Sequence, residues 1–299
     1  MGTESRLDEV YERAPRLKIG RSAKIVCMSD CHRGVGNRGD NFLLNRNLFF
    51  AALEYYYNRC FTYAELGDGD ELWENLSLKR IVEIHSDIFV LLSRFYAQGR
   101  LIQLFGNHDR KKNRQSFVEA HCGRYCDGRD CMSSLLSGLE VREGVVLEST
   151  ENGRELLLVH GHQGDLLNDT LWPVAAFLVR FVWRKLELLG VYDPTSAARN
   201  YKKRKKTEKR LEEWAEKRGI MVVAGHTHRP VLPAPGEGLY LNDGSCVHPG
   251  GITALELENG MLTLVKWSVK VGVDRVLSVE REILAGPYPL RKYWEESSR

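Results

Sequence analysis

The chain has 299 residues and no run of eighteen uninterrupted apolar ones, so no helical membrane span is expected. Met1 to Gly20 is charged and has no apolar stretch ahead of a small-residue cleavage site, so no secretory signal is expected either. Seven cysteines are an odd number without framework spacing. That argues against a disulfide scaffold and favours a reducing, cytoplasmic setting. Charge of one sign is also scarce, with 43 Lys and Arg against 40 Asp and Glu. A net +3 gives no reason to expect a nucleic-acid partner.

What is present is apolar mass and histidine in ordered places. Hydrophobic residues make up 43% of the chain, enough for a substantial core in one or two domains. Lys24 to Met28, Phe61 to Leu66 and Leu101 to Phe105 read as strands, alternating with helical stretches at Asn41 to Asn58 and Glu71 to Gln98. The second half reads as richer in strands, at Leu139 to Arg142, Val145 to Glu148, Glu155 to Val159, Ile220 to Ala224, Leu239 to Asn242, Ile252 to Glu256 and Met261 to Trp267. Asn259-Gly260 marks a hairpin turn. The expectation is an α/β fold with two sheets packed face to face and helices outside. An N-terminal extension is expected at 1–23, the main domain at 24–281, a helical insertion at 165–219 and a tail at 282–299.

Five stretches, each after an expected strand, offer hard oxygens or imidazoles. They are Ser29-Asp30-Cys31-His32, Gly67-Asp68, Gly106-Asn107-His108-Asp109, His160-Gly161-His162 and Gly225-His226-Thr227-His228. Imidazoles with carboxylates and an amide oxygen suit Mn, Fe or Zn. There are more ligands than one ion needs, and two ions sharing a carboxylate would stand about 3.5 Å apart, as in two-metal phosphoester chemistry. A smaller zinc site at His121, Cys122, Cys126 and Cys131 is weighed against free thiols beside a loop.

This ordered set resembles the calcineurin-like metallophosphoesterase superfamily, over residues 24–268. The resemblance implies a metallophosphoesterase fold in which Asp30, His32 and His228 bind one metal, Asn107, His160 and His226 a second, and Asp68 bridges both. Mn is the first choice, with Fe or Zn as alternatives. A bridging water or hydroxide would be the nucleophile. His108 would face the leaving oxygen as a catalytic group, with Asp109 orienting it or capping a helix. His162 would face substrate, with a ligand role as the alternative. Arg33 and Arg110 would hold a phosphate or sit on a solvated face. Within the superfamily the chain looks most like the UDP-2,3-diacylglucosamine hydrolase-like group, on Gly225-His226-Thr227-His228-Arg229-Pro230, Asn242-Asp243-Gly244-Ser245 and the preceding insertion. Those enzymes cleave a pyrophosphate in a glycolipid precursor under a cap that holds acyl chains. They usually carry arginine where this chain has His108.

The insertion reads as such a cap. Trp172, Phe177, Phe181 and Trp183 lie in an apolar helix, and a basic block from Lys202 to Arg210 lies in a second. That pairing suits a phosphorylated or glycolipid substrate and peripheral contact with the inner face of a membrane, or else core packing and a solvated helix. A nucleotidase or cyclic-nucleotide phosphodiesterase is the alternative, with Tyr192, Tyr201 or Trp214 stacking on a base. A non-catalytic scaffold would have lost a ligand or His108, and none is missing.

Overall fold

The computed structural model describes residues 2–37, 39–122, 124–126, 131–165, 168–169, 171–183, 200–272 and 275–296. It is α/β with two mixed sheets. The strands are β1 (Arg16–Ile19), β2 (Lys24–Met28), β3 (Thr62–Leu66), β4 (Leu101–Leu104), β5 (Arg124–Cys126), β6 (Cys131–Ser134) and β7 (Gly144–Ser149). The chain continues with β8 (Glu155–Val159), β9 (Met221–Ala224), β10 (Tyr240–Asn242), β11 (Ile252–Glu258), β12 (Met261–Val271) and β13 (Leu277–Pro289). Helices are α1 (Thr3–Arg13), α2 (Arg46–Asn58), α3 (Leu78–Ile84), α4 (Ser86–Ala97), α5 (Gln115–Cys122), α6 (Trp172–Leu178), α7 (Tyr201–Arg218) and α8 (Leu290–Glu296).

One sheet runs β1-β7-β8-β9-β10 and the other β13-β12-β11-β2-β3-β4, while β5 and β6 form a separate hairpin. Alternation along β2 shows how the layers are sorted. Ile25 and Cys27 enter the core shared by both sheets, and Val26 and Met28 enter the core under α2 and α4. On α2, Leu48, Phe49, Ala52, Leu53 and Tyr56 are buried at helical spacing, giving that layer its apolar face. Strands β2, β3 and β4 are parallel, so their carboxyl ends lie along one edge. β8 and β9 are parallel as well, and they deliver their carboxyl ends beside that edge. Asn259 and Gly260 both have positive φ (52° and 74°) between the antiparallel β11 and β12, as a two-residue hairpin of that sequence requires.

Three boundary expectations are corrected. Residues 1–23 are not an appendage: β1 pairs in parallel with β7, and Leu7 and Val10 of α1 are buried in the shared core. The expected tail at 282–299 continues the sheet as β13 and then seats Leu290, Tyr293 and Trp294 of α8 in the same core. Spacing of i, i+3 and i+4 places those three on one helix face. In the 165–219 insertion, α7 is not part of a cap. Parallel neighbours β8 and β9 need a crossover, and α7 supplies it, burying Leu211, Trp214 and Ala215. Its start is capped by the Asn200 side chain on the amides of Lys202 and Lys203, and its end by Gly219 at φ 63°.

Several finer expectations also shift. Leu139 to Arg142 makes only a bridge from Arg142 to Leu104 rather than a strand. The apolar half of the insertion is a short α6 followed by a π-helical turn at Val179–Trp183, and 184–199 lie outside the described residues. Among the described residues no helix is long and apolar enough to cross a membrane.

Candidate metal centre

The two parallel strand edges bring all five stretches to one place. Asp30 and His32 follow β2, Asp68 follows β3, Asn107 follows β4, His160 follows β8, and His226 and His228 follow β9. Five of these residues sit at positive φ: Asp30 (51°), His32 (48°), Asp68 (50°), His226 (65°) and His228 (54°). Non-glycine residues there cost about 1–3 kcal/mol each, which the surrounding sheet must offset. The strained turns aim the side chains off the sheet edge and toward one another.

Two ligand groups result. Asp30, His32 and His228 form one, and Asp68, His160 and His226 the other, with the ligand atoms of each group within 4.8 Å of one another. The Asp30 Oδ1 lies 3.0 Å from His228 Nε2 and 3.8 Å from His32 Nε2. The Asp68 Oδ2 lies 3.1 Å from His160 Nε2 and 3.9 Å from His32 Nε2, so one carboxylate oxygen reaches ligands of both groups. Asn107 Oδ1 is 3.2 Å from His160 Nε2. Buried polar atoms that make no hydrogen bond include Asp30 Oδ1, His32 Nε2 and His226 Nε2. Orphaned donors and acceptors are rare in a fold, and a convergent set of them fits a cation. The residues present therefore suit a metal ion.

The outer ring nitrogens are already held. His160 Nδ1 donates to the Leu66 carbonyl at 2.9 Å, and His32 Nδ1 meets Glu71 Oε2 at 2.9 Å. With Nδ1 occupied, each Nε2 lone pair is left for a metal. Burial alone would raise the carboxyl of Asp30, yet His228 and His32 hold it well below the usual carboxylate range. Burial likewise opposes the charged form of His160, but Asp68 lifts its pKa to about 9. Burial instead pulls His226 and His228 below the usual histidine value, so the centre mixes charged and neutral imidazoles around its carboxylates.

Glu71 is the functional residue that sequence reasoning missed. Its carboxylate meets Nδ1 of His32 and also Nδ1 of His108, at 2.7 Å through Oε2. It was legible only as the acid three residues after Asp68, in a stretch read as the start of a helix. It takes the part expected of Asp109. The Asp109 side chain instead accepts the backbone amides of Gly106 (2.7 Å), Asp68 (3.3 Å) and Gly69 (3.1 Å), and pairs with Lys112 at 3.0 Å. It shapes the two ligand loops and does not touch the imidazole. His108 in turn gives its backbone amide to Asp68 Oδ1 at 2.8 Å, and its ring stacks on Trp73 at 4.1 Å.

The expected substrate groups are also revised. Arg33 is fully buried and forked onto Glu65 (2.7 and 2.9 Å) and Asp70 (2.8 Å), so it faces no substrate. Arg110 lines a cleft beside His108 but gives its Nη1 to Asp169, at 2.7 Å to Oδ1. His162 is fully buried near His160, with neither ring nitrogen hydrogen-bonded. Burial and the neighbouring His160 pull its pKa down to about 3. It groups with Glu143 and Asp169, carboxylates that Arg6 and Arg110 already neutralise. Of the three aromatics expected to stack on a base, Trp214 is buried with its Nε1 on Asp8, Tyr201 is exposed on α7, and Tyr192 lies outside the described residues. The side chains of Cys126 and Cys131 also lie outside them, and with them the choice weighed there between a zinc site and free thiols; Cys122 is buried.

The cleft beside His108 has a volume of about 240 Å³. Trp73, Trp172, Pro173 and Phe177 give it apolar walls, and Arg110, Lys111 and Arg180 give it a cationic rim. Arg180 is held by the carbonyls of Leu72 and Trp73, which leaves its charge uncompensated by those partners. Phe177 and Phe181 are exposed and pack on each other at 4.8 Å. No protein-family model matches the chain. A search of curated proteins likewise finds no match.

Proposed function

We propose that this chain is a di-metal phosphoesterase with a metallophosphoesterase fold, hydrolysing a phosphodiester or pyrophosphate bond. The observation that carries the reading is the Asp68 carboxylate lying between two ligand groups at the carboxyl ends of two converging sheets. Asp30, His32 and His228 would hold one ion, and Asn107, His160 and His226 the other, with Asp68 shared. Two divalent ions, Mn first and Fe or Zn as alternatives, supply Lewis-acid charge neutralisation and bring the pKa of a water toward about 7.

The chain's own residues provide the rest. Glu71 occupies Nδ1 of His108, a ring that lines the cleft, and this would leave Nε2 to donate a proton to the leaving oxygen. Although burial disfavours the charged imidazole, Glu71 and Asp68 raise its pKa, which favours the donor form. Trp73 stacks on the ring and limits its rotation. Lys111 and Arg180 place positive charge along the cleft for an anionic substrate.

The apolar walls and the exposed Phe177 and Phe181 support a lipid-linked or nucleotide-sugar substrate over a small diester, and peripheral contact with the inner face of a membrane. The basic block of α7 adds less to this reading, because Lys203 and Lys209 pair with Asp165 and Glu213.

The test is turnover of bis-p-nitrophenyl phosphate, nucleotides and UDP-sugars with and without acyl chains by Mn-loaded protein. Acyl-dependent pyrophosphate cleavage supports the glycolipid substrate; cleavage of nucleotides without acyl preference moves the assignment to a nucleotidase. Absence of metal-dependent turnover on every probe sinks the reading. His108→Ala is expected to keep its metals and lose about 10²–10⁴-fold in kcat. Glu71→Gln should show a smaller loss in kcat together with weaker metal binding, because it releases both His108 and His32. Equal kcat in His108→Ala and wild type would remove that residue from the chemistry.

A further inference from the structure

Asp30 uses only one of its carboxylate oxygens toward the ligand cluster. Oδ1 faces His228 and His32 and makes no hydrogen bond. The direction of Oδ1 therefore depends on what fixes Oδ2. Two groups do so: the backbone amide of His226 at 2.8 Å and the Ser29 hydroxyl at 2.5 Å. The same hydroxyl lies 2.7 Å from Oδ1 of Asp243, a fully buried carboxyl with no metal ligand in its own sequence neighbourhood.

The segment carrying Asp243 is built into the floor of the centre. The Asp243 amide donates to the Ala224 carbonyl at 3.0 Å, and Asn242 Nδ2 donates to the Gly225 carbonyl at 2.6 Å, just before His226. The Cys246 amide donates to the Asp30 carbonyl at 3.3 Å. Between them Gly244 turns at φ +87°, where a Cβ would sit 1.9 Å from Thr253 Oγ1. On the other side, a Cβ at Gly225 would sit 2.1 Å from Ser29 Oγ. The hydroxyl is thus enclosed by backbone and has two polar neighbours, Asp30 and Asp243.

We propose that Asp243 is a positioning residue that acts through Ser29 to aim the Asp30 carboxylate at the first metal. The inference rests on the di-metal reading and adds to it a support that lies on neither ligand group. Ser29 and Asp30 follow β2, and Asp243 follows β10, the edge strand on the far side of β9 from β8. The link therefore ties the two sheets together at the point where the ligands converge.

The experiment measures Mn²⁺ binding to metal-stripped protein by calorimetry, alongside the melting temperature of the stripped protein. Ser29→Ala and Asp243→Ala are expected to weaken Mn²⁺ binding by about 10–100-fold, the usual loss when a group supporting a metal ligand is removed. Asp243→Asn, which keeps a hydrogen-bonding group of the same shape, is expected to retain most of the affinity. Ser29→Ala removes one oxygen, so it remains informative if Asp243→Ala does not fold. Unchanged Mn²⁺ affinity in Ser29→Ala overturns the proposal, as does a lowered melting temperature without an affinity change, or Asp243→Asn binding as weakly as Asp243→Ala. Wild-type protein that binds no Mn²⁺ would instead remove the di-metal reading itself, a distinct result.

Discussion

Asp68→Ala is expected to lose both metals at once and to lower turnover by about 10³-fold or more, since each metal supplies several kcal/mol and about 1.4 kcal/mol is a factor of ten. The reason lies in the position of Oδ2, within 3.1 Å of His160 Nε2 and 3.9 Å of His32 Nε2. Asp68 also accepts the His108 amide on Oδ1, so the substitution frees the loop that carries His108. A variant lacking only one ion's other ligands, such as His228→Ala, should keep the second ion. Metal counting by elemental analysis separates these cases. Two full equivalents bound to Asp68→Ala would contradict the shared role.

The second large effect concerns stability. Arg33 is buried with Glu65 and Asp70, and Lys112 joins the same group through Asp70 and Asp109. Gln103 Nε2 adds a bond to Glu65 at 2.6 Å. Arg33→Met leaves two buried carboxylates short of their fork. Breaking such a pair typically costs about 3–5 kcal/mol. At about 2–4 °C per kcal/mol for larger domains, the melting temperature should fall by about 6–20 °C. Arg33→Lys should recover only part of this, because one ammonium cannot span both carboxylates in a planar fork.

The pH dependence has a definite sign. Burial opposes ionisation of Glu65, but Arg33 holds its pKa below the usual glutamate value. A depressed folded pKa contributes stability above the ordinary carboxylate range, and that contribution is lost as pH falls. The gap between wild type and Arg33→Met should therefore narrow in acid. Melting curves that stay equally separated at neutral and acid pH would show that the ion pair is not the source of the loss.

Arg33 also shows why local sequence misleads. It stands beside ligand His32, and adjacency to a ligand suggested contact with a phosphate. The chain at Arg33 instead makes a bridge with Asp70, which turns the side chain inward beneath the metal loops. Asp109 went astray for a related reason. Its place after His108 suggested side-chain pairing, but neighbouring residues in a tight loop point apart. Asp109 meets backbone amides, while Glu71, distant in sequence from both His32 and His108, meets their rings. The terminal segments were misjudged because charged and short apolar stretches carry little periodic signal. Pairing with β7 and β12 is a long-range property that β1 and β13 cannot announce alone.

The sequence by itself determined the α/β class, the positions of most strands, and which residues end those strands with an imidazole, a carboxylate or an amide. Strand identity is written locally, in apolar runs stopped by glycine and polar ligands, so it survives without the fold. Only the tertiary structure decided that the carboxyl ends of β2, β3 and β4 meet those of β8 and β9. It also decided that Glu71 serves two histidines, that Arg33 is structural, and that α7 is a crossover rather than a cap. Those facts depend on where two sheets pack, and packing is set by the shared core of residues such as Leu66, Val159 and Val222 rather than by any residue's neighbours in the chain.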